Sequence, residues 1–193
     1  WESGTLSGVD VAMPYKRAII PFLDELSEEE QKIGAVNCVS FKNGKKIGYN
    51  TDAFGFEKTL LINKKDHHKK ALILGDGGAA KAVRYILDKH NIEHQTVSRK
   101  SEITFENLSE DLVKDSLLII QTTPVGTFPN VDDSVQFPFE AITNQHYVID
   151  LIYNPSETAF LKKSAEKGAT TLNGFYMLEQ QAEKAWEIWK GSN

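Results

Sequence analysis

Ala71-Leu72-Ile73-Leu74-Gly75-Asp76-Gly77-Gly78-Ala79-Ala80 constrains the fold more than any other stretch, because an apolar run passes directly into glycines and then into a helix-forming sequence. The run reads as a buried strand, the glycines as a tight turn, and the residues after them as the start of a helix. Gly75 permits the turn, Gly77 leaves room for a pyrophosphate against the backbone, and Ala80 occupies the third small position where helix and strand pack together. Free N–H groups at the helix start would face the anion. Gly75, Asp76, Gly77, Gly78 and Ala79 are therefore candidate dinucleotide-binding residues. Asp76 is discordant, since its carboxylate repels a phosphate unless it points elsewhere. A strand-turn-helix corner can also use glycines for packing alone, and only the surrounding order of elements separates the two readings.

That order supports binding. Residues 71–74, 94–98, 117–121 and 147–152 are short apolar or β-branched runs, and helical stretches lie between them, clearest at 79–90 and 157–167. Such alternation predicts a parallel sheet with helices on its faces, an α/β arrangement of the doubly wound kind. Earlier in the chain the texture differs. The pattern predicts a strand over 9–13, then a helix over 14–23 with Pro14 at its first position. A second helix over 27–33 follows, with Ser27 and Glu30 spaced as a capping box. Strands over 36–41 and 46–50 are joined through Asn43-Gly44, a hairpin signal, and Thr51 is expected to cap a helix over 52–63. Lys64-Lys65-Asp66-His67-His68-Lys69-Lys70 reads as a solvated connector. The tail over 175–190 is an amphipathic helix whose stripe of Met177, Leu178, Ala182, Ala185, Trp186 and Trp189 is expected to pack into the core.

Composition removes several function classes. With 22 Lys+Arg against 27 Asp+Glu the net charge is −5, so a nucleic-acid backbone is not an expected partner. The apolar run at residues 117–120 falls far short of the roughly 20 residues needed to cross a bilayer, and no membrane partner is expected. Cys38 is the only cysteine, which leaves no internal disulfide, and no Cys/His spacing points to a metal site. A soluble, cytoplasmic protein is the expectation, either a monomer or a homodimer. The chain starts at Trp1 rather than Met, so the natural N-terminus is expected to lie outside it.

The nature of the nucleotide follows from the end of the strand after the glycine turn. An NAD site usually places an acidic residue there to hold the ribose hydroxyls, whereas this chain has Ser98-Arg99-Lys100-Ser101. Two cations with hydroxyls suit a ribose 2′-phosphate, and the Arg99 guanidinium can also stack on an adenine. NADP is thus the expected cofactor, with Ser98, Arg99 and Lys100 facing its phosphate. Lys16, in the first turn of the predicted helix, would sit against the macrodipole, the setting of an amine that works as a general acid and base, though taken alone it reads better as an exposed lysine tolerated at a small cost. Asp52, at the start of the helix after Thr51, is favourably placed and by itself ordinary.

Gly8-Val9-Asp10-Val11-Ala12-Met13-Pro14-Tyr15-Lys16, Ile33-Gly34-Ala35-Val36-Asn37 and Gly48-Tyr49-Asn50-Thr51-Asp52 together resemble three successive signatures of the shikimate dehydrogenase family. Thr122-Thr123-Pro124-Val125-Gly126, Asp150-Leu151-Ile152-Tyr153-Asn154-Pro155 and Asn173-Gly174-Phe175-Tyr176-Met177-Leu178 are similar to three more, in order along the whole chain. The resemblance implies a Rossmann-like, doubly wound NADP-binding domain over residues 64–173 and a smaller, incomplete α/β substrate domain over 1–63. Residues 174–193 would form a helix returning to the substrate domain. It further implies Lys16 as the proton-transfer residue, Asp52 as its partner, and Asn37, Tyr153 and Gln181 as contacts to a ring acid. Thr122, Leu151 and Gly174 would join the glycine turn and Ser98 to Lys100 in lining NADP. The implied reaction is the reversible reduction of 3-dehydroshikimate to shikimate, a step toward chorismate and the aromatic amino acids. A relative working on quinate or another ring acid with NAD is the neighbouring alternative, and a ligand-binding relative without catalysis is a third. Asp10 and Ala12 stand where the family usually has Asn and Thr, and Tyr176 where it has Gly; the absent threonine hydroxyl implies about 1 kcal/mol less substrate binding.

Overall fold

A computed structural model describes residues 6–12 and 14–191 of the chain. Two sheets organise it. The first has four strands in the order β1-β3-β4-β2, where β1 is Gly8–Asp10, β2 Glu25–Leu26, β3 Cys38–Lys42 and β4 Lys45–Tyr49. The hairpin between β3 and β4 turns on Asn43 and Gly44, with φ of 51° and 74°, the two left-handed residues that a two-residue turn of this twist requires. Helix α1, Glu28–Ile33, precedes β3, and α2, Thr51–Asn63, follows β4.

The second sheet is parallel throughout, in the order β6-β5-β7-β8-β9: β5 is Lys70–Leu74, β6 Glu93–Val97, β7 Leu118–Gln121, β8 Tyr147–Asp150 and β9 Thr170–Leu172. Helices α3, Gly78–Lys89, α4, Glu110–Asp115, α5, Ala159–Glu166, and α6, Phe175–Lys190, complete the chain. Side chains alternate across the strands. Ala71, Ile73, Leu118, Ile120, Tyr147 and Ile149 face one layer with Val83, Ile86 and Leu87 of α3 and Ala53, Phe56 and Leu60 of α2. Leu72, Leu74, Ile119 and Val148 face the other, with Val113, Phe137, Phe160 and Leu161. Each fully buried Leu, Ile or Phe contributes about 2 kcal/mol of apolar transfer. The first layer also takes in Ile33 and Ala35, so one continuous core joins the glycine-turn sheet to the elements around α1 and α2.

The chain leaves β5 toward β6 and later returns to β7 on its other side, which makes the carboxyl ends of β5 and β7 a topological switch point. A crevice at such a point is where open α/β sheets bind ligands.

Several elements differ from the sequence expectation. Residues 14–19 form hydrogen-bonded turns followed by a short 3-10 segment, Ile20–Phe22, instead of an α-helix over 14–23. The reason is local. The carbonyl of Arg17 would need an N–H from Pro21, which has none, and bonds Ile20 instead; the carbonyl of Lys16 is taken by the Val36 N–H at 2.8 Å. The helix-dipole argument for Lys16 therefore falls. The strand expected over 9–13 ends after Asp10, and Met13 lies outside the described residues. Asn50, not Thr51, caps α2, its side chain accepting from the Ala53 N–H. Ser27 caps α1 as expected, but the carboxylate of Glu30 bonds the Ser27 hydroxyl and the Asn50 N–H and so links α1 to α2. The connector is not wholly solvated. His68 is 3 % exposed, its Nδ1 accepts from the Lys65 N–H at 3.0 Å and its Nε2 lies 3.1 Å from the Gln145 carbonyl. Burial, ahead of the neighbouring charges, pushes its pKa down, which fits a neutral ring protonated on Nε2. On α6, Met177 and Ala185 are buried, whereas Ala182 and Trp186 face outward. Among the described residues no helix is long and apolar enough to cross a membrane.

Candidate functional site

Lys16 is held by what its turn docks on. Its carbonyl receives Val36, and the Val11 N–H donates to the Asn37 carbonyl at 2.8 Å, so the segment from β1 to the turn is stitched along residues 36–37. From there Asn37 reaches α2: its Oδ1 accepts from the Thr51 N–H at 2.7 Å, and its Nδ2 donates to Thr51 Oγ1 at 2.9 Å and to Asp52 Oδ1 at 3.1 Å. The other carboxylate oxygen, Asp52 Oδ2, takes the Lys16 ammonium at 2.7 Å. Both partners are largely shielded, at 20 % and 15 % exposure. At an effective dielectric of about 20 their gross attraction is about 6 kcal/mol, mostly offset by desolvation, so the pair fixes orientation more than it adds stability. The Thr51 hydroxyl donates to Gln181 Oε1 at 3.3 Å, and Gln181 Nε2 donates to the Leu178 carbonyl within α6.

Lys16, Asn37, Asp52 and Gln181 thus form one hydrogen-bonded array. Tyr153 is 49 % exposed and makes no hydrogen bond to that array among the described residues. Thr51 and Asp10, neither of them expected as a site residue, also bear on the array. Thr51 couples Asn37 to Gln181, and its position immediately before Asp52 was the available signal. Asp10 lies close enough to matter electrostatically: burial first, then the charge of Asp52, raise its pKa, with Lys16 opposing. Across β1 and β3 it sits opposite Cys38, whose thiol burial, followed by Asp10, pushes up to about 12, leaving that thiol protonated and inert.

At the switch point Gly75 has a φ of 113°, and a Cβ there would lie 2.7 Å from Thr122 Oγ1. Thr122 bonds the Leu74 carbonyl through both its N–H and its hydroxyl, at 2.8 Å each, so the ends of β5 and β7 are tied together beneath the crevice. Gly77 caps α3 without a side-chain bond, and a Cβ added there meets nothing within 4 Å. That is open room over a helix start, as a diphosphate requires. Gly78 and Ala79 open α3. The discordant Asp76 turns to Arg84, 2.9 Å from its guanidinium, which neutralises the carboxylate. Ser98 is buried, its hydroxyl accepting the N–H groups of Lys100 and Ser101; it shapes the turn, while Arg99 and Lys100 stand exposed. Gly174 is packed on the end of β8, where a Cβ would lie 2.0 Å from the Leu151 carbonyl oxygen. One residue before Leu151, Asp150 is fully buried. Its carboxylate accepts from the Ile152 N–H at 3.0 Å and the Thr158 hydroxyl at 2.7 Å, and burial nevertheless raises its pKa to about 6. No group of three or more His, Cys, Asp or Glu among the described residues could hold a metal ion.

A parallel sheet with a glycine turn at its switch point defines the Rossmann-type, dinucleotide-binding class of protein. Comparisons with known proteins narrow this class. Residues 1–39 match the family model described as the shikimate dehydrogenase substrate binding domain. Shikimate dehydrogenase (NADP(+)) of Desulforamulus reducens is 36 % identical, over 96 % of this chain and 72 % of its own length. The structure of shikimate 5-dehydrogenase from Thermus thermophilus in complex with NADP(H) and shikimate is 31 % identical, with a TM-score of 0.86, over 97 % of this chain and 74 % of that one. Quinate dehydrogenase from Corynebacterium glutamicum in complex with NAD is 28 % identical, with a TM-score of 0.87, over 97 % and 73 %. The chain belongs to the shikimate dehydrogenase family, a family of oxidoreductases.

Proposed function

We propose that this protein catalyses the NADP-dependent, reversible reduction of 3-dehydroshikimate to shikimate, on the route to chorismate and the aromatic amino acids. The observation that carries the reading is the Lys16–Asp52–Asn37 array, an ammonium 2.7 Å from a carboxylate that a buried amide steadies from the other side. In this reading residues 1–63 form the substrate domain, 64–173 the NADP domain, and 174–193 a helix that returns to bring Gln181 beside Thr51.

The residues fit the cofactor. Gly75 to Ala79 leave open space above the start of α3 for the diphosphate, and Arg99 and Lys100 are free to meet a 2′-phosphate, with Thr122, Leu151 and Gly174 lining the crevice between. When bound, NADPH supplies the hydride. Lys16 gives its proton to the ring carbonyl oxygen as that oxygen becomes a hydroxyl, and takes the proton back in the reverse direction. Asp52 keeps the amine aimed and accepts from a neighbouring ring hydroxyl, while Asn37 fixes Asp52. Gln181 and Tyr153 complete the contacts to the ring acid.

Lys16→Ala tests the assignment. NADPH oxidation with 3-dehydroshikimate should fall about 10²- to 10⁴-fold, with NADPH binding retained in a fluorescence titration. Unchanged turnover in that variant would remove Lys16 from the chemistry. The likeness to the quinate enzyme supports a second reading, in which quinate and NAD are used, and turnover measured with each acid and each nucleotide separates the two. A parent protein that binds these ligands and turns over none of them would be a binding protein on the same fold.

A further inference from the structure

One concavity lies beside the site just described. It is a groove between α1 and α3, about 700 Å³ in volume, lined by Lys32, Lys81, Arg84, Tyr85, Asp88 and Lys89. A volume of that order suits a small organic ligand and far exceeds a single ion. Its charges are unevenly matched. Arg84 is engaged by Asp76 at 2.9 Å, Lys89 by Glu57 at 3.0 Å, and Asp88 by His94 at 3.0 Å. Lys32 and Lys81 have no carboxylate of the described residues within ion-pairing distance. Lys32 is accounted for by its place in the last turn of α1, where the helix dipole favours a cation. Lys81 is not. It is half-buried, and its Nζ lies 3.9 Å from where a Cβ on Gly34 would sit, at the end of α1. Burial, then the charges of Arg17 and Arg84, pull its pKa below the ordinary value, with the nearby Asp76 opposing. The groove thus gathers four cations against Asp88, and Lys81 has no ion pair there among the described residues.

We propose that the α1–α3 groove is a binding site for a phosphate-bearing small molecule, with Lys81 and Lys32 holding the phosphate from its two walls. Arg84 stands beside them as a planar donor that a phosphate can share with Asp76. The Tyr85 ring offers the organic part of the ligand an apolar face. The phosphate is that of a free metabolite and not of the dinucleotide, whose glycine turn lies one helical turn before Lys81, and saturating the protein with NADPH keeps the two apart.

The test is a calorimetric titration of inorganic pyrophosphate into the NADPH-saturated protein, repeated with Lys81→Met and Lys32→Ala. For a free metabolite, the parent protein binds pyrophosphate and each variant binds it about tenfold more weakly. If the NADPH-saturated protein takes up no pyrophosphate, the proposal is overturned, whatever the two variants do to NADPH. Pyrophosphate affinity unchanged in both variants overturns it as well. Should the chain bind no NADPH, the pyrophosphate titration alone still reads the groove, so failure of the dehydrogenase reading and failure of this site remain distinguishable.

Discussion

Replacing Asp150 by asparagine should remove most of one pH dependence from the stability of this protein. The carboxyl is fully buried at the end of β8 and its pKa is raised from 3.8 to about 6, because burial outweighs the hydrogen bonds from Thr158 and the Ile152 N–H. The native state therefore holds this proton more tightly than the unfolded chain does. Stability from this group is fully present below about pH 4, falls as pH rises, and is gone above about pH 6. A rise of that size corresponds to about 3 kcal/mol. Asparagine keeps an acceptor for the Ile152 N–H, and its Nδ2 can donate to Thr158 Oγ1, which already accepts from the Leu161 N–H at 3.2 Å. The Thr158 hydroxyl must then rotate, a pH-independent cost of about 1 kcal/mol. Urea unfolding of parent and variant at matched ionic strength, in steps from about pH 4 to about pH 7, isolates the residue, because every other titrating group cancels in the difference. Parent stability minus variant stability should decline by about 3 kcal/mol across that range. A flat difference, or one that rises with pH, refutes the claim that burial controls this carboxyl.

Alanine at two glycines of one turn should behave in opposite ways. Gly75→Ala meets Thr122 at 2.7 Å with a φ of 113°, and should cost about 2 kcal/mol in thermal unfolding. Gly77→Ala, with nothing within 4 Å, should leave stability within about 0.5 kcal/mol, yet weaken NADPH about tenfold by filling the room for the diphosphate. Arg99→Ala should weaken NADP at least about tenfold while leaving NAD nearly unchanged; equal losses for both nucleotides would place the 2′-phosphate elsewhere. Gly174→Ala, whose methyl would lie 2.0 Å from the Leu151 carbonyl oxygen, should cost about 3 kcal/mol in denaturant unfolding.

What was legible in the sequence is what local chemistry decides. The run from Ala71 to Ala80 carries strand, turn and helix in one stretch, and Asn43-Gly44 specifies its hairpin unaided. The stretch from Pro14 to Leu23 misled because a proline-led helical pattern says nothing of a carbonyl claimed by Val36 twenty residues later. β2 and β9, of two and three residues, exist only through their pairing with β4 and β8 and leave no periodic trace. The same limit applies to the site. Lys16, Asp52 and Asn37 could be named from their motifs, but the amide of Asn37 holding Thr51 and Asp52 together depends on β3 lying against the start of α2. His68 looked solvated among lysines because the carbonyl that binds it, that of Gln145, is distant in sequence.

The seat of Gly174 against the Leu151 carbonyl gives α6 a rigid footing. The Gly174 N–H bonds the Ile152 carbonyl at 3.0 Å just past the tip of β8, and the N–H of Leu178 in the first turn of the helix bonds back to Gly174 at 3.0 Å. The helix is about 24 Å long, with its first turn seated at the end of β8 and Gln181 on its second turn touching Thr51. Under the proposed function, a displacement of the β8 tip on nucleotide binding would be carried by α6 to the side chain that abuts the Lys16–Asp52 array.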